Sequence, residues 1–204
     1  MRTLTKEIQD SLNPAEARKI LVDGNKRFVE NKRGNRNLKE QVQATSEGQY
    51  PFAVVLGCID SRVPAELVFD RGIGDIFNAR VAGNIVNEDI LGSIEYGCKV
   101  AGSKLVVVLG HTKCGAVAAA CQNVELGNIT ALLSKIKPAV EAVRTDDSQE
   151  MDEASVEQVA VQNVNISISN IRKESPILAE MEENGEIEIV GAIYSVATGE
   201  VTFL

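Results

Sequence analysis

The sequence predicts an α/β domain: a mainly parallel central sheet of four strands plus an antiparallel edge strand, helices on both faces, and an N-terminal helical arm. Two observations carry that expectation. The continuous apolar runs Ala53-Val54-Val55-Leu56 and Leu105-Val106-Val107-Val108-Leu109 are each closed by glycine, the signature of strands buried on both faces of a parallel sheet. Strand-like segments then alternate with segments of helical spacing, the order that builds right-handed βαβ units. At 204 residues the chain is one domain able to bury a full core. It divides into an arm over 1–48 and an α/β core over 49–204, with no internal repeat or linker.

In chain order, Asn13-Pro14-Ala15-Glu16 starts a helix, with Asn13 as cap, Pro14 in the first turn and Glu16 closing a capping box. Ala17, Ile20, Leu21 and Phe28 share its apolar face, and the basic stretch Lys32-Arg33-Gly34-Asn35-Arg36 ends it. After the first strand, Ser61 offers a cap and Pro64 an early helical position for a short helix running to Phe69, and Asp70 to Asp75 form a turn. Ile76 to Val81 is the next strand. Asn87 to Val100 is a helix with Ile90, Ile94 and Cys98 on one side, and a small-residue helix follows from Cys114 to Ala120.

Ile129 to Val143 shows helical spacing at Leu132, Leu133, Ile136 and Val140, with Pro138 kinking or shortening it. Thr145 to Glu153 is acidic and expected on the surface. Val156, Ala160, Val164, Ile168 and Ile171 form a helical stripe, although Val164 to Ile168 also alternates like a strand; the longer pattern favours helix. Ser175-Pro176 opens another helix that stops near Asn184-Gly185. Ile187 to Tyr194 is a strand, and Thr198-Gly199 turns it into the edge strand Val201-Thr202-Phe203.

Composition narrows the function classes. A formal charge of -8 argues against nucleic acid or an anionic membrane as partner, since both need a basic surface. The first residues carry no apolar signal core, and no run approaches the roughly 18 apolar residues of a membrane span. Four cysteines, two of them in motifs at strand ends, suit a reduced protein using thiolates, so a cytoplasmic location is expected. Cys98 and Cys121 read as packing groups, and Gly72-Ile73-Gly74 as a turn rather than part of a dinucleotide fingerprint.

The chemistry collects at Gly57-Cys58-Ile59-Asp60-Ser61-Arg62 and Gly110-His111-Thr112-Lys113-Cys114-Gly115. Each follows a buried strand, and open α/β sheets bind ligands at that carboxyl edge. Cys58, His111 and Cys114 arriving there suggest a catalytic zinc site with three protein ligands and water in the fourth position. Such a site lowers the pKa of its water enough to supply hydroxide near neutrality. Two thiolates cancel the ion's formal charge, so nearby groups have to help that ionisation.

At these residues the chain resembles the β-class carbonic anhydrases, whose signature is C-x-D-x-R after the first core strand and H-x-x-C after a later one. Arg80-Val81-Ala82-Gly83-Asn84 is also similar to the family. The resemblance implies reversible hydration of CO2 to bicarbonate, one zinc ion per subunit, a homodimer or tetramer, and an N-terminal helix lying across a partner subunit. It implies that Asp60 accepts a hydrogen bond from the attacking hydroxide while Arg62 holds Asp60, and that in some members the equivalent Asp closes onto zinc. The plant-like branch lines its CO2 pocket with Gln, Phe and Tyr, matched by Gln49, Phe77 and Tyr96, with Ala82 and Gly115 completing the pocket.

Another branch has a Trp three residues before its first Cys, part of an inhibitory bicarbonate pocket. Val55 stands there, although Arg80 and Tyr194 match the other members, so that switch is expected to be absent or weak. His111 is the chain's single histidine and is assigned to the metal, which leaves proton export to water, external buffer or Tyr96. Two other readings keep the same residues: hydrolysis of carbon disulfide or carbonyl sulfide, and a noncatalytic zinc or redox protein.

Overall fold

The computed structural model describes residues 3–144 and 151–204. Five strands form one sheet in the order β2-β1-β3-β4-β5: β1 is Ala53–Gly57, β2 Ile76–Arg80, β3 Leu105–His111, β4 Glu188–Tyr194 and β5 Val201–Phe203. The first four are mutually parallel, and β5 pairs antiparallel with β4. Every residue of β1 and β3 is buried. Their alternation feeds two cores: Ala53, Val55, Leu105, Val107 and Leu109 face one side, and Val54, Leu56, Val106 and Val108 the other.

The N-terminal arm comprises α1 (Lys6–Ser11), α2 (Pro14–Val29) and α3 (Leu38–Ala44). The capping box of Asn13 and Glu16 is made as expected. Ala17 and Leu21 are fully buried in the first core, with Ile20 and Phe28 packed beside it. The α2 stripe therefore covers its own sheet. The buried Asp70 carboxylate ties the arm down, accepting from Arg27 Nε at 2.6 Å and from Arg36.

Helix α4 spans Ala65–Val68; its cap position is Pro64, with no side-chain cap bond, so Ser61 does not cap it. Helix α5 (Glu88–Glu95) runs straight into a wider π turn over Tyr96–Val100 rather than continuing as one regular helix. Helix α6 is Gly115–Cys121. Pro138 divides the expected 129–143 helix into α7 (Gly127–Leu133) and α8 (Lys137–Val143), because its ring suits a first turn and not an interior.

Helix α9 (Glu153–Glu174) is continuous through Val164 to Ile168, as the longer stripe requires, and α10 is Pro176–Glu183. Of the acidic stretch expected on the surface, residues 145–150 lie outside the described residues. Helix α9 crosses the sheet at two glycines: a Cβ on Gly110 or on Gly191 would come within 2.7 Å of Val164. That close approach fixes the helix over β3 and β4.

Candidate metal centre

The register of β1 on β3 runs from Ala53↔Leu105 to Gly57↔Leu109. Cys58 thus leaves β1 one residue past the last pair, while β3 continues beside β4 to His111↔Tyr194. Lys113 then takes a left-handed φ of 55°, which turns the chain back so that Cys114 opens α6. The ligand atoms of Cys58, His111 and Cys114 all lie within 4.8 Å of one another, and all three residues are buried.

The donors are set for a cation. His111 Nδ1 meets the Thr112 carbonyl at 2.9 Å, while the buried Nε2 has no hydrogen-bond partner. A buried orphan nitrogen is costly unless something binds it. The neighbouring Cys114 thiol draws the Cys58 thiol well below its ordinary range against the effect of burial. The adjacent Cys58 sulfur, burial and the Cys58 charge push Cys114 up.

At His111 burial favours the neutral ring, but the Cys58 sulfur, the Thr112 carbonyl and the Cys58 and Asp60 charges outweigh it and raise the pKa. Two sulfurs and the orphaned His111 Nε2 thus face one another in a buried space. A soft divalent ion satisfies all three groups, and two sulfurs with one nitrogen suit zinc.

Asp60 and Arg62 stand over this group. Arg62 donates from Nε to Oδ1 at 2.9 Å and from Nη2 to Oδ2 at 2.7 Å, a bidentate pair, and its backbone N–H donates to Oδ1 as well. These bonds hold the Asp60 carboxyl well below the usual carboxylate range despite partial burial. Asp60 Oδ2 lies 3.9 Å from His111 Nε2. The carboxylate is thus engaged with arginine in an open arrangement, not turned in among the three ligand atoms.

Supporting contacts come from polar residues that the apolar patterns do not reveal. Gly83 N–H donates to Cys58 Sγ at 3.3 Å from a tight turn over Ala82–Asn84. Asn163 of α9 donates to the Gly83 carbonyl at 2.8 Å. Glu157, also on α9, accepts the Lys113 N–H at 2.7 Å. Arg80 donates from Nε to the Cys58 carbonyl at 2.8 Å and from Nη2 to the Asp60 carbonyl at 2.6 Å, so its guanidinium braces the loop carrying both residues.

The expected pocket residues divide into two sets. Ala82 sits in the turn over Cys58, and Gly115 follows Cys114 at the exposed start of α6. Phe77 and Tyr96 meet edge to face at 6.2 Å and line a groove of about 510 Å³ with Val54, Ala79, Glu88 and Ser93. None of the three metal-ligating residues lines that groove. Gln49 is exposed before β1, beside the turn at Gly74.

Comparison with known proteins fits this geometry. Residues 53–201 match a sequence family described as carbonic anhydrase. The solved structure of a β-carbonic anhydrase from the fungal pathogen Aspergillus fumigatus superposes with a TM-score of 0.73 at 30% identity, covering 81% of each chain. The chain belongs to the β-carbonic anhydrases.

The carbonic anhydrase of Mycolicibacterium smegmatis is 36% identical over 93% of this chain and 92% of its own length. Carbonic anhydrase 2 of Mycobacterium tuberculosis is 36% identical over 92% of this chain and 91% of its own length. The match spans the arm as well as the core, so the family assignment covers nearly the whole β-carbonic anhydrase chain.

Proposed function

We infer that this β-carbonic anhydrase catalyses the reversible hydration of CO2 to bicarbonate and a proton, with one zinc ion per subunit held by Cys58, His111 and Cys114. The bound ion supplies Lewis acidity that ionises a water molecule near neutral pH. The observation that carries the reading is the bidentate Asp60–Arg62 pair standing 3.9 Å from the imidazole of the ligand set.

An ionised carboxylate only accepts hydrogen bonds, so Asp60 would accept one from the attacking oxygen nucleophile and orient its lone pair toward carbon. Arg62 keeps that carboxylate charged and fixes its plane. Ala82 and Gly115 leave room beside the metal for a small apolar substrate. His111 is the chain's one histidine, so the released proton leaves through water, external buffer or Tyr96.

The subunits pair into a homodimer, alone or as the unit of a tetramer, and the pocket takes Gln49, Phe77 and Tyr96 from across the interface, as in the plant-like branch. Support comes from the groove at the β2 edge, where Tyr96 is 55% exposed yet meets Phe77 edge to face. Bicarbonate does not switch this enzyme off, because Val55 is fully buried in the core where the inhibited branch has Trp. The four free cysteines support a reducing, cytoplasmic setting. Among the described residues no helix is long and apolar enough to cross a membrane.

Stopped-flow CO2 hydration by zinc-loaded protein, run beside assays for sulfide release from carbon disulfide and carbonyl sulfide, tests the reading. Hydration without sulfide release is expected. Sulfide release without hydration would move the substrate to those compounds.

A further inference from the structure

Two carboxylates on α9, one turn apart, reach the loop between His111 and Cys114, and they do different things. Glu153 pairs with the Lys113 ammonium at 3.3 Å, and both side chains are well exposed. Glu157 ignores the side chain and accepts the Lys113 backbone N–H at 2.7 Å. Lys113 has a left-handed φ of 55°, a conformation that is strained for a residue with a side chain. Something has to hold the peptide there. On its other side, the Lys113 carbonyl accepts from Arg62 Nη2 at 3.2 Å, the same nitrogen that donates to Asp60 Oδ2.

We propose that Glu157 is a positioning residue for this reaction: its carboxylate fixes the Lys113 residue, whose carbonyl in turn sets the Arg62 guanidinium against Asp60. The inference rests on the CO2-hydrating reading of the site. Helix α9 can serve as the fixed reference because Gly110 and Gly191 bring it against the sheet and Asn163 bonds the Gly83 carbonyl. Glu157 touches neither the substrate's place nor the ligand atoms, so its influence has to pass through Lys113 and Arg62.

The test uses Glu157→Ala, Glu157→Gln and Glu153→Ala in the full zinc-loaded chain, with thermal midpoints measured for each. Gln keeps an acceptor oxygen at the same place. Glu157→Ala is expected to lower kcat about tenfold with KM changed by less than about twofold, and Glu157→Gln to recover most of that loss. Glu153→Ala, which removes only an exposed ion pair, is expected to stay within about twofold of wild type. In an Arg62→Ala background the Glu157→Ala loss should shrink to less than about twofold, because the link it acts through is gone.

A readout independent of turnover is the rate at which zinc passes to a colorimetric chelator. Glu157→Ala should speed it several-fold and Glu157→Gln should not. Wild-type kcat in Glu157→Ala, an equal loss in Glu157→Gln, or the full loss persisting without Arg62 would each overturn the proposal. If the wild type hydrates no CO2, the functional reading falls; the chelator rates then decide alone whether Glu157 holds the loop.

Discussion

The metal centre and the Phe77–Tyr96 groove are both rich in residues expected to act, yet one is closed and braced from several elements while the other lies open at the edge of the sheet. Cys58, His111 and Cys114 are at most 4% exposed, and the peptides around them are braced from β2, the 82–84 turn and α9. The groove lies along the edge strand β2, with Tyr96 mostly exposed and no metal-ligating residue in its lining. Groups that must hold a charged centre to fractions of an ångström are fixed by short-range backbone geometry. Groups that only shape an apolar pocket can be left on a surface for another subunit to use.

The largest effect should come from breaking the closed region. His111→Ala removes the only imidazole donor, and the loss of hydration activity should exceed about a thousandfold with zinc no longer retained on gel filtration. Asp60→Asn separates holding the metal from using it. Zinc content should stay at one per chain while kcat/KM falls about a hundredfold or more, since the amide can donate and no longer selects an acceptor's role.

The open region is sharpened by mixing subunits. Tyr96→Ala should lower kcat/KM about tenfold in a homodimer. A purified hybrid of one Tyr96→Ala subunit with one His111→Ala subunit should recover roughly half the wild-type rate, because a two-fold dimer leaves one site with both parts intact. Hybrid activity no greater than the mean of the two parents would place Tyr96 in its own subunit's pocket instead.

The smallest effect on catalysis is expected at the arm. Burial alone would raise the Asp70 pKa, but the bonds from Arg36, Arg27 and the Gly34 amide outweigh it and hold the carboxyl below its ordinary value. A depressed folded-state pKa contributes stability above the unfolded value, and that stability is lost as pH falls through the folded one. Asp70→Asn keeps a residue tolerant of the left-handed φ of 48° and leaves two arginines short of a charge. Denaturant unfolding at pH 7 should show a loss of about 3 kcal/mol that narrows below about pH 4, with kcat nearly unchanged.

The same contrast explains what was legible in the sequence. Strands β1 and β3 are buried on both faces, so they read as unbroken apolar runs, and the motifs just beyond them lie where the sheet puts them. The α9 stripe outweighed five alternating residues because a 22-residue helix repeats its period many times. Glu157 and Asn163 were not legible: both are polar, so no apolar period marks them, and their reach depends on how closely α9 crosses Gly110 and Gly191. The π turn at Tyr96 escaped for a similar reason. A Cβ on Gly97 would lie 2.5 Å from Val54, a packing demand from β1 that no local periodicity records. Gln49, Phe77 and Tyr96 carry no mark of whose pocket they serve.

The central claim is that one ion, held by two sulfurs and an imidazole, does the work. Hydration rate measured by stopped flow against zinc added to metal-free protein tests it most directly. The rate should rise linearly and saturate at one zinc per chain. A rate already full without metal, or no hydration at complete loading, would contradict it.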